Sequence, residues 1–234
     1  MEPFDILIVS AHPDDAEMAM GGTIAKLRAA EKRIFHLCLT RGEMGTHGSI
    51  ETRKREFESA NSLLGCSHEM LSLPDSGIEN NRENRLIVAK VIREVRPTVV
   101  FAPYHTNNLG ELGGISNVDH YTAGALVRDA VKMARLERTM EKPEKHVIQK
   151  LFFYMLPRNV LPTIIVDVTE EMDLALKAIK AYETQMAIQF RGTPITELLL
   201  LRRAALGLEI GAKYAEGFVT DMPLNFSARH FSEV

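Results

Sequence analysis

His12, Asp14 and Asp15 stand directly after a short apolar run in the stretch Ile6-Leu-Ile-Val-Ser-Ala-His-Pro-Asp-Asp15. A neutral imidazole and a carboxylate are ordinary zinc ligands, and a catalytic zinc takes three protein ligands and keeps one position open for water. His12-x-x-Asp15 supplies two ligands and leaves Asp14 as a spare base, so a third ligand must come from elsewhere in the chain. His120, in the pair Asp119-His120, is the candidate. The same residues also suit a strand-to-helix junction, with His12 and Asp15 as turn and cap residues and Asp119 as an N-cap. Spacing alone leaves both readings open.

The elements that must position these residues follow from the apolar pattern. Ile6 to Val9 reads as a strand covered on both faces, stopped by Pro13. Side chains just beyond it lie where open α/β sheets hold ligands, outside the carboxyl ends of the strands. A helix is predicted over Met20 to Ala30, entered through Gly21-Gly22, then a strand over Ile34 to Leu39 and the glycine-rich loop Thr40 to Gly48. Ser49 is the expected N-cap of a helix ending at Leu64, with Gly65 as terminator. A strand near Met70 to Leu73, the turn Pro74-Asp-Ser-Gly77, a helix over Glu83 to Val95 and a strand over Thr98 to Pro103 follow. An irregular Asn- and Gly-rich segment, Tyr104 to Val118, then delivers Asp119-His120 to a helix running to about Leu136. Beyond a charged connector, strands are expected near Leu151 to Met155 and Thr163 to Val168, and helices over Met172 to Met186 and Thr196 to Glu209. Alternating strands and helices predict an α/β, Rossmann-like domain over residues 1–234, a mostly parallel sheet with helices on both faces. Right-handed crossovers gather the loops after strands one, two and four at one rim.

Composition narrows the partners. The 234 residues are 45% apolar and 25% charged, enough for one domain with a full core. A net charge of −3 without a Lys/Arg stripe excludes the basic footprint of a nucleic-acid binder, so the expected partner is a small molecule. Only Cys38 and Cys66 are present, without thiolate-zinc spacing, and neither a signal peptide nor a membrane span is apparent. The expectation is a cytoplasmic protein.

The combination of Ala11-His-Pro-Asp-Asp15, Gly21-Gly22-Thr, Leu39-Thr-Arg-Gly-Glu-Met-Gly45, Phe101-Ala-Pro103 and Asp119-His120 resembles the LmbE-like de-N-acetylases, zinc hydrolases acting on N-acetylglucosamine conjugates. Ala181-Tyr-Glu-Thr-Gln185 and Lys213 to Phe218 look most like the branch that deacetylates N-acetylglucosaminyl malate (GlcNAc-malate) in bacillithiol synthesis. The resemblance implies zinc on His12, Asp15 and His120, Asp14 as general base, Arg53 and Arg41 toward the substrate, and a homo-oligomer. By itself Arg53 reads as a solvated residue pairing with Glu56 or Glu58. Tyr182 and Gln185, a turn apart, could reach the site or simply pack.

One departure from the family pattern bears on catalysis. Where its second motif reads His-Pro-Asp-His, this chain has Asn117-Val-Asp-His120. An amide can donate a hydrogen bond to an oxyanion but cannot supply a proton to a departing amine. Loss of a general acid typically costs ~10²–10⁴ in rate. The chain is therefore either a slow or lapsed enzyme that still binds metal and sugar, or one in which the longer loop returns His105, less favourably His47, as the missing acid.

Overall fold

The computed structural model describes residues 3–107 and 117–225; most of the long Asn- and Gly-rich segment lies outside the described residues. In chain order the elements are β1 (Ile6–Ser10), α1 (Asp15–Ala29), β2 (Ile34–Cys38), α2 (Ile50–Leu64), β3 (Ser67–Met70), α3 (Arg82–Val95), β4 (Val99–Pro103) and α4 (Val118–Arg135). They continue with β5 (Lys150–Tyr154), β6 (Ile164–Asp167), α5 (Met172–Lys180), the two-residue strands β7 (Gln189–Phe190) and β8 (Thr193–Pro194), α6 (Ile195–Leu208) and β9 (Ala215–Phe218). Five strands form a parallel sheet in the order β3-β2-β1-β4-β5. The order reverses between β1 and β4, which opens a crevice at their carboxyl ends.

Both faces of the sheet are covered. Leu7 and Val9 of β1 join Val100 and Ala102 of β4 under α3 and α4, while Ile6, Ile8 and Phe101 pack beneath α1 and α2. Alternation along a pleated strand places successive residues on opposite faces, so a run apolar at every position is what two covered faces require. The predicted cap is present: Ser49 accepts from the Thr52 amide at 3.2 Å, and Gly65 closes α2 at φ 69°. No helix among the described residues is long and apolar enough to cross a membrane.

Several boundaries differ from expectation. Helix α1 begins at Asp15, directly on the chemical motif, and Gly21-Gly22 lie within it. Gly22 is needed for close packing: a Cβ there would come within 2.6 Å of the Val168 Cβ. The strand β3 lies three residues earlier than the pattern indicated, at Ser67–Met70. The helix expected to reach Met186 stops at Lys180, and a 3-10 turn over Glu183–Ala187 follows. The strand β9 was not foreseen; it pairs antiparallel with β6 outside the main sheet.

A kink in α1 explains why β9 matters. Met20 leaves helical geometry (φ −143°), and the Gly22 and Thr23 amides donate to Glu216 of β9 at 3.1 and 2.7 Å. Arg203 of α6 donates to the Met18 carbonyl at 3.0 Å and pairs with Glu216 at 2.6 Å. The Gly22 amide and Met18 carbonyl would bond each other in a regular helix. The buried ion pair supplies both missing partners instead. Removing one member of a buried pair strands the other and costs ~3–5 kcal/mol. Urea denaturation should therefore show both Arg203→Met and Glu216→Met destabilised, Glu216→Met the more, because it also leaves the Gly22 and Thr23 amides without their acceptor.

Candidate metal and substrate site

The site forms where β1 and β4 part. Beyond β1 the chain turns at Pro13, and Asp14 adopts φ 109°, a left-handed conformation rare for a residue with a Cβ. Such a backbone costs ~1–3 kcal/mol and persists only when its surroundings over-determine it. Here the Met18 amide donates to the Asp14 carbonyl at 2.9 Å, closing the first turn of α1, while the Arg53 guanidinium donates to the Pro13 carbonyl. Beyond β4 the chain returns at Asn117, whose side chain accepts from the Asp119 amide at 3.0 Å and so caps α4.

This geometry brings His12, Asp15 and His120 together. His12 Nδ1 lies 3.2 Å from His120 Nε2, His120 Nε2 lies 3.1 Å from Asp15 Oδ1, and His12 Nδ1 lies 3.5 Å from Asp15 Oδ2. Donors held about 2.1 Å from one tetrahedral zinc ion stand about 3.4 Å apart; the separations here are of that size, the two from Asp15 being measured to different carboxylate oxygens. Two ring nitrogens and a carboxylate converge on one point, a donor set suited to a divalent cation.

The other face of His12 is equally constrained. Its Nε2 lies 3.2 Å from Asp119 Oδ2 and 3.1 Å from Asp75 Oδ1. Asp119, 1% exposed, also accepts from the Ser76 amide at 2.6 Å and the Ile78 amide at 3.2 Å. Asp119 is thus no helix cap but a group that fixes the direction of the His12 ring, the arrangement that raises donor strength behind a metal-binding imidazole. Burial works against a charge on His12, yet its bonds to Asp119, Asp15 and Asp75 outweigh this and hold its pKa well above the imidazole range. Burial also opposes ionisation of Asp15, but the neighbouring His120 and His12 keep it below the usual carboxylate range.

Asp14 behaves differently. Burial pushes its pKa up to about 7; Arg53 pulls the other way and adjacent Asp15 adds to the rise. Its carboxylate pairs with Arg53 Nη2, at 3.3 Å. Arg53 is buried against Pro13 and Asp14 and is not the solvated residue its neighbourhood in sequence suggested. Its anticipated partner Glu56 instead accepts from the Thr184 amide and hydroxyl at 2.8 and 2.7 Å, fixing the turn that presents Gln185.

Arg53, Asn117 and Gln185 join His12, Asp15, His120 and Asp14 in lining a cavity of about 250 Å³. The structure does not bring three other expected residues to it. Tyr182 is fully buried in the core packed on α1 and α5, and half-buried Arg41 lies outside the cavity wall. His105 is also turned away. Its ring stacks on Tyr104, meets Phe153 edge-on, and contacts Arg128 and Asp221 at 3.1 and 2.9 Å. The cause is backbone packing: a Cβ on Gly124 of α4 would fall 2.9 Å from the His105 Cα, so the chain after β4 lies tightly on α4 and its ring faces β5. The idea that a longer loop returns His105 over the ligands is corrected accordingly. His47 contributes its carbonyl, which accepts from Gln185 at 3.2 Å.

Asp75 also lines the cavity, a position that its sequence pattern does not single out. It read only as part of a turn, although that turn also follows a strand's carboxyl end. Asp75 Oδ2 accepts from the Met44 amide at 2.8 Å, and its amide donates to Glu43 at 3.0 Å, which ties the loop after β2 to the turn after β3.

Fold and site together define a doubly wound α/β protein with a His-Asp-His cation cradle and a separate buried carboxylate at the switch point of its sheet. Residues 7–131 match the family model for PIG-L, the GlcNAc-PI de-N-acetylases, and the chain belongs to that family. It is 31% identical to a diacetylchitobiose deacetylase of Thermococcus kodakarensis, over 92% of this chain and 84% of that protein. Among solved structures, the conserved protein TT1542 of Thermus thermophilus superposes with a TM-score of 0.86 at 33% identity, covering 96% of this chain and 98% of the other. The N,N'-diacetylchitobiose deacetylase of Pyrococcus horikoshii gives 0.81 at 29% identity, covering 93% and 83%.

The orienting part of Asp119 is open to direct measurement. Replacing a partner behind a ligand histidine typically costs ~10–100-fold in metal affinity. Asp119→Asn is expected to weaken zinc binding by that factor in a competition titration with a chromogenic chelator, while His120→Ala abolishes stoichiometric binding.

Proposed function

We propose that the protein is a zinc-dependent hydrolase that removes the acetyl group from a small N-acetylglucosamine conjugate. The observation that carries this reading is the pairing, in one cavity, of a three-donor cation cradle with a buried carboxylate whose pKa lies at about 7. Support for the substrate class comes from the family and from the diacetylchitobiose deacetylases it resembles.

His12, Asp15 and His120 would hold the cation, which when bound polarises the acetamide carbonyl and acidifies water. Asp14 then accepts a proton as water adds to the carbonyl carbon. An acid with a pKa near the working pH can both take a proton and return it. Asp14 can therefore pass that proton to the sugar nitrogen as the C–N bond breaks, releasing acetate and a free amine. This covers the acid that the chain lacks at Asn117. Asn117 spends its carbonyl oxygen on the Asp119 amide, so its NH₂ group is what it offers the cavity, suited to the oxyanion. Arg53 holds the Asp14 carboxylate and the strained peptide before it.

Acetate release from zinc-loaded protein tests the reading. A chelator should abolish release and added zinc restore it, and Asp14→Asn should lower kcat by ~10²–10⁴. Release by Asn117→His with none by the wild type on any N-acetylglucosaminide would make the protein a lapsed enzyme.

The pH dependence has a defined sign. Asp14 must be ionised to act as base, so kcat/KM should fall as pH drops through its pKa. A nearby cation stabilises the carboxylate, which places the acidic limb of the zinc enzyme at or below about 7. An acidic limb that persists unchanged in the residual activity of Asp14→Asn would assign it to another group.

A further inference from the structure

Six of the 14 residues of α6 are leucine, spread round the helix instead of along one stripe. A helix apolar on every side is ordinarily covered on every side. One side of α6 is covered within the chain. Leu199 is buried, Leu200 packs on the small core around Val168, Arg203 pairs with Glu216, and a Cβ on Gly207 would come within 2.5 Å of the Ala212 carbonyl oxygen. At about 100° per residue, the opposite side carries Leu198, Leu201, Ala205 and Leu208. Leu201 is 58% exposed and Leu208 82%, with Ala205 exposed between them.

We infer that a second copy of this chain covers that side, its α6 pairing antiparallel with the first about a two-fold axis. The four residues are spaced three, four and three apart, the rhythm of a seam between two helices. That spacing reads the same in both directions, with its centre at Arg203, so a reversed copy presents the same seam. Leu198 then lies opposite Leu208 of the partner subunit, and Leu201 opposite Ala205 of the partner subunit. A large residue facing a small one fills the middle of the seam, where a parallel pair would set alanine against alanine and leave a gap.

Charge fits the same register. Arg202 and Glu209 are exposed and flank the seam on one side, and neither forms an ion pair among the described residues. The charge near Arg202 is a like one, Arg158. Antiparallel pairing places Arg202 of each copy on the same side as Glu209 of the partner subunit, displaced by ~7.5 Å along the axis, within reach of two long side chains. Symmetry makes the pair twice. A membrane surface would call for basic residues beside the stripe, whereas α6 sets two glutamates there, Glu197 and Glu209, against Arg202.

The pairing is independent of the deacetylase reading, yet it bears on the site at one remove. The buried side of the same helix supplies Arg203, which with Glu216 holds the kinked segment of α1. Covering the outer side holds α6 from both faces.

Sedimentation velocity on the full chain tests the pairing, with circular dichroism to establish that each variant is folded. The wild type should sediment as a dimer or as an assembly of dimers. Leu201→Glu, at an exposed position, should halve that mass at micromolar protein. Arg202→Glu or Glu209→Arg alone should raise the dissociation constant ~10-fold or more, because like charges then face each other, and the double reversal should recover most of the loss. Disulfide trapping reads the register: a mixture of Leu201→Cys and Ala205→Cys proteins should cross-link between chains faster than either protein alone. A monomeric wild type, a mass unmoved by Leu201→Glu, or Leu201→Cys cross-linking with itself faster than in the mixture overturns the inference. So does flotation of the wild type with anionic vesicles that Leu201→Glu abolishes.

Discussion

One buried carboxylate, Asp119, holds the functional end of the molecule together. It sits in the first turn of α4 and accepts from the Ser76 and Ile78 amides of the turn after β3 while bonding the far side of the His12 ring beyond β1. Three chain segments distant in sequence therefore share one acceptor. A buried carboxylate is tolerated only when fully paired, and here its pairing is what aims His12 Nδ1 at Asp15 and His120. Asn117 contributes by capping α4 and fixing the Asp119 amide. A cap at this position couples the helix start to ligand geometry, so the departure from the family motif at residue 117 has a structural side as well as a chemical one.

The two adjacent aspartates show how environment divides like groups. Asp15 faces two imidazoles and stays ionised, whereas Asp14 is buried beside another carboxylate with one guanidinium for relief, and its pKa rises to about 7. The division depends on the left-handed backbone at Asp14, which turns consecutive side chains in different directions. That strained peptide is held by Arg53 from α2 on one side and by the first turn of α1 on the other. The kink farther along α1 is stabilised in the same manner, by an ion pair that substitutes for a broken helix bond. Both ends of the kinked segment are thus fixed from outside it, which lets the motif start a helix without following regular helix geometry.

Much of the fold was readable from local pattern. A continuous apolar run identified β1 as a strand covered on both faces, largely apolar stretches placed β2 and β4, and Ser49 and Gly65 bracketed α2 to the residue. Patterns failed where tertiary contacts override them. Gly21-Gly22 reads as the entrance of a helix, yet lies inside one, where Gly22 serves close packing against Val168. The strand β9 has no apolar alternation, because Glu216 in its middle is buried against Arg203 and α1. Gln185 reached the cavity while Tyr182 did not, because the helix expected to carry both ends at Lys180.

By itself the sequence determined the α/β alternation and offered His12, Asp15 and His120 as candidate cation donors with Asp14 as the spare carboxylate, since these depend on residue type and on the end of a strand. Only the tertiary structure decided that Asp75 enters the site, that Asp119 orients His12, that Arg53 belongs to Asp14, and that His105 faces β5 and Asp221. The physical reason is that charge pairing and ring direction depend on groups far apart in the chain. A loop residue's destination follows from the packing beneath it, as the close approach of Gly124 to His105 shows.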